Sequence, residues 1–221
     1  IVSSKLITKR ETIMRIKSLV AAMAAVASLA PIAAQAQAQE NPWMVRVRAV
    51  DLLWNNGQTG IAQTANIKAK DQWIPEFDVS YFFTKNIAAE LVLTWPQQVN
   101  ITANGADAGK ISALPPSLLA QYHFTDLGAF KPYVGAGVNY TIFGNRQNFY
   151  GPGAGLQVEP SSFGFVGQIG MDYMLDKNWG LNVDVKYATM ATNVQAVAGG
   201  ANLGKLTLNP WMPAVGVAYK F

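Results

Sequence analysis

The chain of 221 residues has no cysteine and a single histidine, and only 14% of its residues are charged. The absence of cysteine excludes disulfide bonds and any metal site built on thiolates. The charged fraction lies well below the roughly 25% that is usual in soluble domains. Half of the residues are apolar, which indicates a protein that meets an apolar environment. We expect neither a metal nor a cofactor.

The net charge of +4 comes from the N-terminal end. Residues 1–36 hold five basic residues and one acidic residue, whereas residues 37–221 hold 12 of each kind. A nucleic-acid-binding surface needs a concentration of basic side chains, which the neutral body of the chain does not offer. The charge distribution therefore argues against a nucleic-acid partner.

The N-terminal segment has the pattern of a secretory signal peptide. Arg15 and Lys17 precede a mostly apolar run over residues 19–30, and Pro31 and small residues follow. The run is too short to span a membrane as a mature helix. An uncleaved anchor helix is the alternative.

The predicted domain organisation follows from this leader. We expect an upstream extension and signal peptide over residues 1–36, with cleavage after Ala36 or Ala38. Residues 37–221 then form one domain, and no later stretch of 18 apolar residues offers a transmembrane helix. The exported chain is thus half apolar, although its sequence predicts no transmembrane helix after the leader.

Beyond residue 40, apolar and polar residues alternate with a period of two, which predicts β-strands with one apolar face. The eight runs are 43–53, 74–83, 86–95, 114–124, 131–143, 163–174, 179–189 and 207–221. Most have about the 9–11 residues that a tilted strand needs to cross a bilayer.

Short and long connections alternate between the runs. Thr84–Asn86, Thr125–Lys131 and Leu175–Asn178 are short turns. The long links cover 54–73, 96–113, 144–162 and 190–206. This alternation is typical of outer-membrane barrels. We predict an all-β, transmembrane, up-and-down antiparallel eight-stranded β-barrel in the lipid bilayer of a Gram-negative outer membrane.

Alternation alone would also allow a soluble lipocalin-like barrel with its apolar face inward. Small residues on the polar face favour the membrane barrel, because they leave room inside a narrow lumen; they are Gly135, Gly137, Gly164, Gly170, Gly216 and Ala218. Aromatic residues also gather at both strand ends, as in the two interfacial belts of membrane barrels. Beside the short turns and termini lie Trp43, Tyr81, Phe83, Tyr122, Phe124, Tyr173, Trp179, Tyr219 and Phe221, and beside the long links Trp54, Trp73, Trp95, Tyr140, Phe163, Tyr187 and Trp211.

Five stretches of the chain resemble the OmpW family of small outer-membrane barrels. They are Asn86–Pro96, Leu114–Phe124, Lys131–Phe143, Gly167–Leu175 and Leu208–Phe221. The resemblance implies an eight-stranded barrel with an apolar channel open to the outside. It also implies passive uptake of small hydrophobic molecules, which leave sideways into the membrane.

The residues at the inward-facing positions of the strands carry nearly equal numbers of positive and negative charges. The expected lumen residues are Arg46, Arg48, Glu76, Asp78, Glu90, His123, Asp172, Asp184, Lys186 and Lys220. Unpaired charges in a narrow lumen are costly, so we expect a salt-bridged network that blocks free diffusion. A charged path for ions is the alternative.

Two consecutive prolines, Pro115 and Pro116, begin the fourth run, opposite Trp95 and Pro96 at the end of the third. Proline cannot donate to a strand ladder, so pairing should break there. The resemblance favours this break, with Pro96, Pro115 and Pro116, as a lateral gate. An ordinary strand start is the alternative.

The resemblance to the OmpW family aligns Val92 with a position where an apolar side chain constricts the channel. The partner position can be a tryptophan in the family, but here it is Lys186. This departure predicts that Lys186 pairs with Glu90 or Asp184 and weakens the case for a purely apolar constriction.

His123 is the only histidine and raises the question of catalysis. The outer-membrane palmitoyltransferase is also a small barrel, but its chemistry needs acid and nucleophile neighbours near the outer leaflet. His123 precedes a short turn at the periplasmic end, so we interpret it as structural. We expect no enzyme but a monomeric channel whose last strand, with Phe221, engages the outer-membrane assembly machinery. A structural or adhesive barrel that serves as a receptor for phage or colicin is the main alternative.

Overall fold

The computed structural model describes residues 41–147, 150 and 155–221. The predicted signal peptide and its cleavage site lie outside these residues. In chain order the elements are β1 (Trp43–Leu52), β2 (Gly57–Gly60), α1 (Ile61–Thr64), β3 (Lys68–Ala69), β4 (Gln72–Phe82), β5 (Ile87–Thr94), β6 (Gln97–Ala103), β7 (Ala106–Leu114), β8 (Ser117–His123), β9 (Phe130–Gly144), β10 (Leu156–Val158), β11 (Ser161–Met174), β12 (Trp179–Ala188), β13 (Ala191–Ala196), β14 (Asn202–Thr207) and β15 (Trp211–Lys220). Within the described ranges, no helix has the length and apolarity that crossing a membrane requires.

Eight strands close into a ring of antiparallel neighbours. The order around the ring is β1, β4, β5, β8, β9, β11, β12 and β15. The ring closes where β15 pairs with β1, from Met44 opposite Lys220 to Val50 opposite Ala214. Closure removes the sheet edges that hydrocarbon could not satisfy. The predicted eight-stranded barrel is confirmed.

The ring strands coincide with the eight predicted runs, apart from a few residues at their ends. The largest differences lie at two prolines. β8 begins at Ser117, after Pro116, and β15 begins at Trp211, after Pro210. Proline cannot donate the ladder hydrogen bond at these positions, so the apolar alternation continues further than the pairing does.

Alternate residues of each ring strand face outward and inward. On β1, Val47 is 53% exposed, whereas the neighbouring Arg46 and Arg48 are buried. On β15, Val217 is exposed and Ala218 is buried. The apolar face is therefore the outer face, which lies against lipid in a membrane barrel.

Inward-facing glycines allow neighbouring strands to approach closely. A Cβ atom on Gly137 would lie 2.0 Å from the carbonyl oxygen of Leu118, and one on Gly216 would lie 2.1 Å from that of Val47. No side chain fits at such distances. The glycine-rich inner face thus reflects the narrow bore of the ring.

The long links, predicted as loops, contain seven further strands that form a structure we call the outer collar. It comprises β2, α1, β3, β6, β7, β10, β13 and β14. β10, β13, β14 and β2 form a four-stranded sheet in that order, and β7 joins β9 at Leu114 opposite Ile142. The collar encloses an apolar core; its buried members are Ala62, Ala65, Ile67, Ala69, Val99, Ile101, Ile111, Ala113, Phe143, Leu156, Val158, Met190, Val194, Leu206 and Leu208.

Aromatic side chains form contacts at both ends of the ring. At the short-turn end, Trp43 packs on Tyr81 and Tyr219 on Phe221, each at a ring separation of 4.9 Å. At the long-link end, Trp95 is 79% exposed. The placement of Trp54 in the outer belt was wrong. Its ring packs against the collar core, and Nε1 donates to the carbonyl oxygen of Lys70 at 3.1 Å.

Candidate functional site

Arg46 holds the first group of ion pairs inside the ring. Its Nε and Nη2 donate to the two carboxylate oxygens of Asp172 at 3.0 and 2.7 Å. Its Nη1 lies 3.2 Å from Asp78 Oδ1 and 3.6 Å from Glu90 Oε1. These side chains are buried. Two parallel hydrogen bonds to one carboxylate make this a strong and directional pair.

Arg48 lies two residues further along β1 and contacts four carboxylates. Its Nη1 lies 3.5 Å from Asp184 Oδ2. Its Nη2 lies 2.5 Å from Asp78 Oδ2 and 2.9 Å from Glu90 Oε1. Its Nε lies 2.9 Å from Glu76 Oε1. Asp78 thus lies between both arginines and ties the two groups of ion pairs into one network.

Lys186 reaches the network from β12, on another side of the lumen. Its Nζ lies 2.8 Å from both Glu76 Oε1 and Asp184 Oδ1. Asp184 is one of the two partners expected from the sequence. Glu76 takes the place of the other, Glu90, whose carboxylate contacts the arginines and a glutamine.

Neutral side chains complete the network. Gln168 Nε2 donates to Glu90 Oε2 and Asp184 Oδ2, each at 2.9 Å. The Tyr133 hydroxyl donates to Asp184 Oδ2 at 2.9 Å. A Cβ on Gly170 would lie 2.3 Å from Tyr133 Cζ, so this glycine leaves the room that the ring needs.

The carboxylates of the network face cations rather than a metal site. Across residues 41–147, 150 and 155–221, no group of three or more metal-ligating side chains has a suitable arrangement. Arginine and lysine donors already contact each of these carboxylates. The network joins β1, β4, β5, β11 and β12 across the bore.

His123 and Lys220 lie at the short-turn end of the network. The His123 ring lies 4.8 Å from those of Phe82 and Tyr133, and Nε2 lies 2.9 Å from Gln121 Oε1. The Lys220 ammonium lies 5.9 Å from the centre of the Phe82 ring. Ring stacking and an amide contact thus hold His123 in place.

An apolar layer covers the network on its long-link side. Val92, Leu119, Val166 and Ala188 form this layer, and Met212 packs against it. Val92, the expected constriction residue, is 2% exposed. The layer is assembled from β5, β8, β11 and β12, so the narrowing is shared by several strands.

A cavity, called here the outer cavity, lies between the apolar layer and the collar core. It is lined by Leu52, Trp54, Ile74, Glu76, Val92, Thr94, Gln97, Val99, Ala113, Pro115, Ser117, Asn139, Thr141, Lys186, Ala188, Met190, Pro210 and Met212. The centre of a water molecule can reach about 30 Å³ of it. A single water needs roughly 10–15 Å³ by this measure, so the cavity is narrow in this conformation.

The barrel wall is interrupted beside the outer cavity. Pairing between β5 and β8 ends at Val92 opposite Ser117, and pairing between β6 and β7 begins at Gln97 opposite Ala113. We call the intervening residues, 93–96 and 114–116, the strand break. Gln97, Thr94 and Pro115 also line the cavity, so the break adjoins it directly.

Asn139 on β9 satisfies the backbone at the strand break. Its Nδ2 lies 3.3 and 3.2 Å from the carbonyl oxygens of Pro115 and Pro116, and 2.9 Å from Ser117 Oγ. The amide thus supplies a donor to the proline carbonyl oxygens, and the Pro116 carbonyl also accepts the backbone N–H of Tyr140 at 3.1 Å. Trp95 and Pro96 are exposed on the other side of the break.

Sequence reasoning missed several residues of this site. Gln168, Tyr133 and Asn139 occupy the same parity as the inward-facing glycines of β11 and β9, so the parity that located the charges could have found them. Thr94 lies on the same parity of β5 as Glu90 and Val92, so the alternation could also have found it, whereas its position opposite Glu76 follows only from the pairing of β4 and β5.

A closed ring of eight antiparallel strands, apolar outside and charged inside, with aromatic belts at both ends, defines a small bacterial outer-membrane β-barrel. A family model described as the OmpW family matches residues 39–221. The chain belongs to the OmpW family and resides in the outer membrane of a Gram-negative bacterium.

Individual relatives agree with this assignment. The uncharacterised outer-membrane protein y4mB of Sinorhizobium fredii is 42% identical, over 87% of this chain and 86% of its own. The dibenzothiophene metabolism operon protein PahQ of Pseudomonas aeruginosa is 24% identical, over 86% and 93%. The crystal structure of OprG from Pseudomonas aeruginosa superposes with a TM-score of 0.68 at 25% identity, covering 85% of this chain and 99% of that one. The family and its structural relative are outer-membrane barrels rather than enzymes.

Proposed function

We propose that this barrel is a passive channel for small hydrophobic molecules, which leave it sideways through the strand break. One observation carries the proposal: a mostly apolar cavity adjoins a gap in strand pairing at the long-link end of the lumen. An apolar solute in this cavity faces hydrocarbon on one side and a charged network on the other. Burial of apolar surface favours the exit into lipid.

The charged network supports a lateral route over a straight one. Passage between Arg46, Arg48 and their carboxylates would separate buried ion pairs, at a cost of about 3–5 kcal/mol for each broken pair. The strand break offers a path with no ladder hydrogen bonds to open. The name of PahQ, which belongs to an operon for metabolism of the apolar compound dibenzothiophene, fits a channel for such solutes.

A reversible crosslink across the strand break tests this route. Extending the β5–β8 register past Val92 and Ser117 brings Leu93 opposite Pro116. Because the chain has no cysteine, Leu93→Cys combined with Pro116→Cys introduces the only thiols, and a disulfide or a short bis-thiol linker closes the break. We expect uptake of a labelled apolar solute by producing cells to fall several-fold on crosslinking and to return with reductant where the disulfide forms.

The matched control carries the same crosslink at an intact part of the wall. Val47 and Phe77 face lipid as partners on β1 and β4. Val47→Cys with Phe77→Cys should leave uptake unchanged. Equal uptake before and after closing the strand break would refute the lateral route, and no uptake by the unmodified barrel would favour the structural or receptor role.

A further inference from the structure

We propose that the outer cavity selects amphiphilic solutes that carry one hydroxyl group on an apolar body, such as medium-chain primary alcohols, over pure hydrocarbons. The inference rests on the proposed channel function and names the class of solute. The hydroxyl would bind at Glu76 and Thr94, and the apolar part would lie along the rest of the cavity.

The polar end of the cavity is built by two neighbouring strands. Glu76 on β4 and Thr94 on β5 are direct cross-strand partners, so their side chains stand side by side on the inner face. Lys186 approaches from β12 and binds Glu76 Oε1 at 2.8 Å. All three side chains line the cavity.

Thr94 presents a buried hydroxyl that has no hydrogen-bond partner among the described residues. Buried polar atoms are nearly always paired with protein or with a bound molecule, because leaving them bare is costly. Thr141, another threonine of the same cavity, shows the usual situation: its hydroxyl donates to Asn139 Oδ1 at 2.8 Å. The unpaired hydroxyl of Thr94 therefore indicates a bound polar group.

Glu76 offers the complementary acceptor. Its contacts with Arg48 and Lys186 both fall on Oε1, so Oε2 is the oxygen that a further donor would approach. A hydroxyl group is both donor and acceptor. It can donate to Glu76 and accept from Thr94, whereas a hydrocarbon would leave both groups without a partner.

The remaining surface suits an apolar body of adjustable size. Leu52, Ile74, Val92 and Val99 line the cavity together with Met190 and Met212. Methionine side chains are unbranched and readily repack around a guest. A solute larger than the present space is accommodated when Met190 and Met212 change rotamer, and the strand break at Gln97 and Pro115 leaves its tail a way out.

The test compares 1-octanol with n-octane, which share a chain length and differ in the hydroxyl group. Both are titrated into the purified barrel in lipid nanodiscs, with NMR detection of the Thr94, Ala188 and Met212 methyl groups. We expect saturable shifts with 1-octanol at an affinity at least tenfold higher than with n-octane. Equal affinity, or binding of n-octane alone, overturns the selectivity but leaves the channel function standing; binding of neither overturns both.

Two matched variants separate the hydroxyl contact from a change in folding. Thr94→Val removes only a hydroxyl that has no partner among the described residues, so the fold should persist and the preference for 1-octanol should disappear, with n-octane binding unchanged. Thr141→Val removes a hydroxyl that is already paired within the same cavity and should keep the preference. If Thr94→Val keeps the preference as well, the assignment of the polar end to Thr94 is wrong.

Discussion

Arg46 and Lys85 each face an aspartate, but in opposite surroundings. Arg46 lies 2.7 Å from Asp172 with both side chains buried, whereas Lys85 lies 3.4 Å from Asp126 with side chains 72% and 82% exposed. Water screens the second pair and not the first. Similar residue pairs therefore contribute very differently to the stability of this barrel.

We expect Arg46→Met to lower the free energy of unfolding by about 3–5 kcal/mol, because the carboxylates of Asp78 and Asp172 lose a buried partner. Lys85→Met should change it by less than about 1 kcal/mol. Urea unfolding from lipid vesicles, followed by tryptophan fluorescence, measures both. Similar values for the two variants would show that the network adds little to stability.

At the scale of elements, the turn between β11 and β12 shows how a short connection is held. Asp176 Oδ1 accepts hydrogen bonds from the backbone N–H groups of Trp179 and Asn178, each at 2.7 Å. These bonds favour the ionised carboxylate, so the pKa of Asp176 lies below its ordinary value. The tight hairpin thus depends on a charge at the water-exposed end of the barrel.

A lowered pKa gives this turn a defined pH dependence. The stabilisation is fully present above the ordinary carboxyl pKa of about 3.9 and is lost as the pH falls through the lower folded value. Asp176→Asn should therefore be less stable than the parent at pH 7, and the difference should be smaller at about pH 3, which lies below the ordinary carboxyl pKa. Unfolding curves at both pH values check this.

The control for the turn is another exposed aspartate. Asp126 lies in the connection between β8 and β9, where its carboxylate contacts Lys85 Nζ. Asp126→Asn removes an exposed carboxylate charge and leaves the turn between β11 and β12 untouched. A profile equal to that of Asp176→Asn would assign the effect to general surface charge.

The strand break is also a property of elements. Residues 93–96 face residues 114–116 of the neighbouring strand without ladder pairs between them. Asn139 on β9 donates to the proline carbonyl oxygens. The prolines identify where pairing stops. The side chain that binds the proline carbonyls comes from β9, remote in sequence, and the lateral gate itself stays a prediction.

At the scale of the whole molecule, the ring is closed by its first and last strands. The backbone N–H of Phe221 donates to the carbonyl oxygen of Trp43 at 3.1 Å, and the Phe221 ring is about half exposed to lipid. A closed ring leaves no edge to recruit a second copy, which is compatible with the expected monomer. The exposed terminal aromatic is free for recognition before closure, as we propose for the assembly machinery.

We expect Phe221→Ala to lower the amount of folded barrel in cells several-fold while refolding into lipid vesicles in vitro stays nearly unchanged. The reason is that the substitution removes the phenyl group, which we propose is recognised, but removes no ladder hydrogen bond. Phe124→Ala, at a comparably exposed ring on the same belt, is the control and should keep its cellular level. Heat-modifiable migration in gels measures the folded fraction, and equal losses in cells and vesicles would instead indicate a stability defect.

The sequence by itself determined the ring. Period-two alternation, short turns and inward-facing charges located all eight strands and the charged residues of the network, because each strand must show apolar atoms to lipid on every second residue. The sequence also offered Glu90 or Asp184 as the partner of Lys186, and Asp184 is a partner in the structure. These features are repeated locally along the chain, so they can be read without knowing which strands touch.

Only the tertiary structure decided the rest. Glu76 rather than Glu90 binds Lys186, Trp54 turns inward, and the long links fold into a collar. Thr94 acquires its buried, unpaired hydroxyl only beside Glu76 and beneath the collar core. Each of these depends on which side chains from distant strands meet across a narrow bore, and that is set by the register and closure of the ring, which no local pattern records.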